Sequence, residues 1–158
     1  MDRLLLERVT QVVSKRPQEL KEDKDRINKV VAKVIALGKI GRREGLLTLE
    51  EASENILKDN SFENSLLKQL IEYIIDGTDP TVIEKIMTTK FLFNEYDVVE
   101  SLIFYIITNG CMMIQDGENT AYIKESLKAC IPIDFIDENF DRKIDKLVNE
   151  QIDKIINE

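Results

Sequence analysis

Charged side chains of both signs crowd one short stretch of the sequence, GRREGLLTLEE at residues 41–51. Arginines and glutamates placed this closely suit docking against a partner with complementary charges. Glycines at positions 38, 41 and 45 are expected to loosen the predicted helix here and to form a corner. The alternative is a solvated corner whose local ion pairs each contribute less than ~1 kcal/mol. The candidate binding residues, called the charged corner below, are Arg42, Arg43, Glu44, Glu50 and Glu51.

Residue types that catalysis and metal binding use are missing or scattered. The chain contains no histidine, which excludes a Ser-His or Cys-His nucleophile, a histidine base and histidine metal ligands. The glycine-rich GKIGRREG lacks the GK[ST] of a phosphate loop. The two cysteines, Cys111 and Cys130, are too few for a disulfide framework, lack metal spacing and are typical of small buried hydrophobes. No acid stands alone in an apolar run, where a raised pKa is expected. We therefore expect a protein that is not an enzyme and has no cofactor and no metal.

Charge and hydropathy limit the partners and the location of the protein. The net charge of −8 argues against nucleic acid, which requires a clustered basic surface. The longest uncharged stretch covers the 15 residues 101–115. It is shorter than the ~20 apolar residues of a membrane-spanning helix. The N-terminal MDRLLLERVTQVV has only a three-leucine run before Glu7, unlike a signal peptide. We expect a cytoplasmic protein with no nucleic-acid partner and no membrane span.

Apolar residues recur at three- and four-residue steps along most of the chain, which predicts helices. The runs IEYII and LIFYII have β propensity but lie inside longer helical periods that end at a glycine. We predict an all-α fold over residues 1–158, a single compact helical bundle of about seven to eight helices with no sheet. The predicted helices comprise one that ends before Pro17, residues 18–40, 46–58, 66–75, one from Pro80, 98–114, 120–129 and one from Asp137, with KDNSFENS at 58–65 as a polar connector.

Two short sequences, DGTDPTVI at 76–83 and DGENTAYI at 116–123, repeat each other at an offset of 40 residues. In each, a glycine suits the left-handed conformation that ends one helix, and Asp79 or Asn119 supplies an oxygen that caps the next. A calcium-binding EF-hand loop is the alternative, but it places apolar residues at positions that need oxygen ligands. We therefore predict two helix–turn–helix corners.

The motifs resemble a known family. RREGLLTLE at 42–50, followed by LIEYIIDGTDP at 70–80, resembles the cytoplasmic loop of the flagellar motor stator subunit MotA, with its ARREGLLALE and VDGTDP. GCMMIQDGEN at 110–119, continuing to Pro132, resembles the C-terminal tail of that family, of the form GILAIQEGENP. Both motifs occur in the order of the family, and together they cover residues 27–132.

The resemblance implies a soluble, membrane-free relative of the cytoplasmic part of the stator. The two membrane helices that separate the motifs in the family have no counterpart here, nor does the proline that lines the ion path. Ion conduction is therefore not expected. In the family, an arginine and a glutamate of the cytoplasmic loop engage the rotor switch protein FliG, and these positions fall on Arg42 and Glu50.

Two functional hypotheses follow. The first is a non-catalytic protein-binding module that docks through the charged corner, on FliG or in the regulation of motor assembly. The second is a structural or regulatory helical protein, unrelated to motility, that self-associates into a homo-oligomer. It would use the amphipathic C-terminal helix predicted within residues 134–158, whose apolar stripe equally suits a contact with the core.

Overall fold

The structure, a computed structural model, describes residues 3–156. Within that range the chain forms eight α-helices and two 3₁₀ helices and no strand, which confirms the predicted all-α fold. The α-helices are α1 (Arg3–Lys15), α2 (Lys24–Glu44), α3 (Leu46–Ile56), α4 (Phe62–Ile75), α5 (Pro80–Leu92), α6 (Val98–Gln115), α7 (Thr120–Lys128) and α8 (Phe140–Ile156), and the 3₁₀ helices are Pro17–Asp23 and Ile133–Phe135.

Helix α6 forms the centre of the bundle. It packs against α1, α2, α4, α5 and α7, and it carries the most apolar sequence of the chain. Among the described residues it is the one helix with the length and hydropathy to cross a membrane, and 78% of it is buried inside the protein. Its apolar sequence is therefore accounted for by burial against the other helices.

Helices α2 and α6 run in the same direction, since Val34 lies against Gly110 and Gly38, one turn on, lies against Ile114. A Cβ atom added at Gly110 would overlap Cγ1 of Val34. One turn further on, a Cβ at Gly38 would lie 3.4 Å from Cγ1 of Ile114. The missing side chains of the two glycines therefore allow the two helices to pack at close range.

The C-terminal helix is part of the core. Helix α8 packs against α2 and α3, and its stripe residues Phe140, Ile144 and Val148 are buried. The first half of the stripe that the self-association hypothesis would use is thus covered within the chain, while Leu147, Ile152 and Ile155 are partly buried against the core.

The expectation that glycines loosen the end of α2 is wrong at two of three positions. Gly38 and Gly41 lie inside the continuous helix α2. Side chains of neighbouring helices pack against both glycines; a Cβ at Gly41, for example, would lie 3.5 Å from the side chain of Leu49. Only Gly45, with φ of 91°, breaks the helix. The predicted start of this helix also differs, because Pro17–Asp23 is a 3₁₀ helix.

The predicted polar connector is shorter than expected, because α4 begins at Phe62 with Ser61 as its cap. Two polar residues of its first turn are buried and paired. Glu63 accepts two hydrogen bonds from Arg26 on α2, at 2.9 and 2.8 Å. The side-chain oxygen of Asn64 accepts a hydrogen bond from Lys33, and its side-chain nitrogen donates one to Asp59. The prediction of a connector at residues 62–65 is therefore wrong. The cationic partners of Glu63 and Asn64 lie on α2, more than 30 residues away in sequence.

The two repeated corners have the same geometry, as predicted. Asp76 and Asp116 share φ of −73° and ψ of −6°, and the following glycines have φ of 70° and 72°. In both, the glycine N–H donates to the carbonyl three residues back, and the next N–H donates to the carbonyl five residues back. This is the Schellman pattern, which satisfies carbonyls at the end of a helix.

We predict that Glu63→Gln destabilises the fold by about 1–2 kcal/mol at neutral pH, because it leaves the partly exposed Arg26 without its charged partner. The hydrogen bonds from Arg26 hold the pKa of Glu63 below its ordinary 4.5. The pair therefore contributes fully above that pH and loses its contribution as the pH falls through the lowered pKa. Urea unfolding should show the gap between wild type and variant closing in acid. Glu7→Gln, in an exposed pair with Arg3, is the control and should have little effect.

We predict that Gly110→Ala destabilises the protein by about 1–3 kcal/mol, since the added methyl group overpacks the crossing of α2 and α6. Gly41→Ala is the matched control within a helix and should be neutral or stabilising by up to about 1 kcal/mol, because its methyl group meets only an ordinary contact. In a Val34→Ala background the cost of Gly110→Ala should shrink. Equal unfolding free energies for the two glycine variants would contradict the close crossing.

Candidate functional site

The charged corner lies where α2 ends and α3 begins, and all five of its charged residues are exposed. In the part of the chain that the structure describes, none of them forms an ion pair. One of them makes a side-chain hydrogen bond, from Nη1 of Arg42 to the carbonyl of Gly117 at 2.6 Å. Between the described residues, these five side chains are therefore solvent-exposed without local ion pairs.

Two leucines at the start of α3 extend the charged corner with apolar surface. Leu46 is 49% exposed and Leu47 is 78% exposed. The next leucine along, Leu49, is fully buried and contacts α2 near Gly41. The N–H of Gly45 donates to the carbonyl of Gly41, and the N–H of Leu49 donates to that of Gly45. The turn at residues 44–47, called the tip below, is thus held in place by backbone hydrogen bonds and by the buried Leu49. Leu46 and Leu47 face solvent.

The segments that carry the motifs meet at one end of the bundle. The bond from Arg42 to Gly117 joins the end of α2 to the corner between α6 and α7. Nε2 of Gln115 donates to the carbonyl of Thr78 at 2.8 Å, which joins this corner to the one between α4 and α5. Three corners that are far apart in sequence therefore form one surface.

Glu50 faces different neighbours from Arg42. It lines a shallow cavity of about 210 Å³ between α3 and α4, together with Glu54, Lys68, Glu72 and Asp76. Arg42 instead reaches the corner between α6 and α7. The two residues that the resemblance singles out therefore flank the tip of the charged corner and face different parts of the bundle.

A larger cavity that the sequence analysis did not identify lies between α1, α6 and α7. Its volume is about 860 Å³, and it is also bounded by the start of α5 and by Pro132. We call it the α1–α7 groove. Its apolar wall comprises Val9, Val13, Leu102, Met112, Met113 and Ile131, and its acidic residues are Glu84, Asp116 and Glu118.

Uncharged polar residues also line this groove, among them Tyr105, Asn109 and Cys130. Burial raises the pKa of Tyr105 to about 12 and that of Cys130 to about 11, while a hydrogen bond with Asn109 acts in the opposite direction on the thiol. Both groups are therefore protonated at neutral pH and serve as hydrogen-bonding groups without charge. The available signal was the polar pair at positions 105 and 109, one turn apart in the most apolar helix.

Metal-ligand clusters and the reactivity of the second cysteine, Cys111, complete the description of the chemistry-bearing residues. Within residues 3–156 there is no group of three or more histidine, cysteine or acidic residues placed to hold a metal. Cys111 is fully buried, and burial raises the pKa of its thiol to about 12. A protonated thiol is a weak nucleophile.

No protein-family model matches the chain, and neither a curated protein nor a solved structure matches it. The likeness to the stator subunit therefore depends on the motif residues quoted above.

We predict that both thiols resist alkylation in the folded protein. The rate of reaction with iodoacetamide follows the thiolate fraction, so Cys130 should react on the order of a hundredfold more slowly at neutral pH than in the urea-unfolded chain. Cys111 should react more slowly still, since it is also fully buried. Cys130→Ala separates the two rates. Rapid labelling of Cys130 in the native state would contradict the raised pKa.

Proposed function

We propose that this chain is a non-catalytic protein-binding module that docks through the charged corner. The observation that carries the proposal is that five neighbouring charged side chains are exposed and, among the described residues, form no ion pair with one another or with other groups. Charges that are not neutralised within the chain remain available for complementary charges on a partner.

The exposed leucines support the same surface. Protein interfaces typically combine an apolar centre with a polar rim, and Leu46 and Leu47 lie in sequence between the charged residues 42–44 and 50–51. Scattered single leucines on a surface need no explanation. An adjacent pair on a backbone-anchored tip, flanked by five charges, matches the composition of a small docking site.

The resemblance to the stator subunit supplies the partner. The rotor switch protein FliG is the protein that the corresponding loop engages in that family, and we propose a cytoplasmic role on it. The expected consequence is competition with stators for the rotor or regulation of motor assembly.

We predict that the chain binds purified FliG at low salt and that Arg43→Glu or Glu50→Lys weakens binding at least about tenfold, because each places a like charge against the partner. Arg43 is preferred to Arg42 as the first variant because Arg42 also holds Gly117. Pull-down and interferometry measure the affinity.

The controls separate position from net charge. Arg142→Glu and Glu150→Lys make the same changes at exposed sites on α8 and should leave binding unchanged. The double variant Arg43→Glu with Glu50→Lys keeps the wild-type net charge and should still bind weakly. Absence of wild-type binding at low salt, or equal effects of the α8 variants, would refute docking on FliG through the charged corner. A doubled mass in light scattering that these variants abolish would instead assign the corner to a homo-oligomer.

A further inference from the structure

The α1–α7 groove has the size and shape of a ligand site. Its volume of about 860 Å³ falls within the range of roughly 300–1,000 Å³ that is typical of small-molecule pockets. The dimensions therefore suit a small organic molecule.

The lining divides into an apolar wall and a few convergent polar groups, the combination that binds and orients an organic ligand. The wall contributes two methionines, Met112 and Met113, whose flexible side chains adapt to the shape of a ligand. Tyr105 lines the groove, and its hydroxyl forms no hydrogen bond with another described residue. Tyr105 and Asn109 therefore offer hydrogen-bonding groups to a ligand in the groove.

All charged groups that line the groove are acidic. They are Glu84, Asp116 and Glu118, and no lysine or arginine belongs to the lining in the described part of the chain. Arg42 approaches the same rim, but its guanidinium bonds to the carbonyl of Gly117 and does not line the groove. Asp116 and Glu118 are exposed, so an ammonium group beside them keeps part of its hydration while gaining their attraction.

We propose that the α1–α7 groove binds a small organic cation, with an apolar body against the methionine wall and an ammonium group at the acidic rim. An anionic ligand would meet like charge at the rim and is disfavoured. This site adjoins the charged corner at Gly117, but its test does not depend on FliG.

The test compares two fluorescent probes that share one apolar body. Dansylcadaverine ends in an amine, and dansyl-aminohexanoic acid ends in a carboxylate on a chain of similar length. Dansyl emission shifts to the blue in an apolar site, so one titration reports both burial and affinity. We expect saturable binding of one amine probe per chain and an affinity for the carboxylate probe at least about tenfold weaker.

The repeated corners provide a matched control. Asp116→Lys with Glu118→Lys reverses the rim and should reverse the preference between the two probes. Glu72→Lys with Asp76→Lys makes the same charge change at the equivalent corner between α4 and α5, outside the groove, and should leave the preference intact. Ala129→Trp, which adds bulk to the exposed wall, should weaken both probes.

Three results would overturn the proposal. The first is the absence of saturable binding by the amine probe to the wild-type protein, a measurement that needs no variant. The second is equal affinity for the two probes, which would indicate an apolar surface that does not distinguish cations from anions, such as a docking surface for a partner helix. The third is equal effects of the two lysine pairs, which would attribute the preference to net charge. Circular dichroism of each variant establishes that it is folded.

Discussion

The close packing of α2 and α6 is the constraint on which the rest of the structure depends. The contacts of α2 with α6 keep one register: Gly110 faces Val34, Ile114 faces Gly38 one turn later, and Gly117 then accepts a hydrogen bond from Arg42. Most of the other α-helices pack on one or both members of this pair. Because protein interiors are close-packed, a methyl group at the crossing would displace both helices and the elements that rest on them.

This register also determines where the functional surfaces lie. Arg42 is eight residues beyond Val34, and Gly117 is seven residues beyond Gly110. At 1.5 Å per residue, Arg42 lies about 12 Å along α2 beyond Val34, and Gly117, just past the end of α6, lies at a similar height. The end of α2 consequently meets the corner between α6 and α7, and both the charged corner and the acidic rim of the α1–α7 groove belong to one end of the bundle.

Polar groups specify the arrangement at the start of α2 and α4 in a different way. Burying a carboxylate is unfavourable unless it is paired, and Glu63 is paired by both arms of the Arg26 guanidinium. Asn64 is fully buried and uses both its carbonyl and its amide. These directional bonds join α2 to α4, which otherwise share few contacts, and they place α4 where it can cover α6.

Local features of the sequence determined the presence of the helices and several of their ends. Periodicity predicted α6 within one residue, and Asp79, Asn119 and the glycines at 77 and 117 predicted the caps and corners, because caps and turns depend on residues a few positions apart. Tertiary structure decided the rest. The two glycines in α2 serve contacts with other helices, the polar FENS segment is helical because Arg26 and Lys33 reach it, and the α1–α7 groove arises from four helices that no local pattern relates. The sequence likewise could not show whether the charged corner neutralises itself, because ion pairing depends on distances between side chains that only the folded chain establishes.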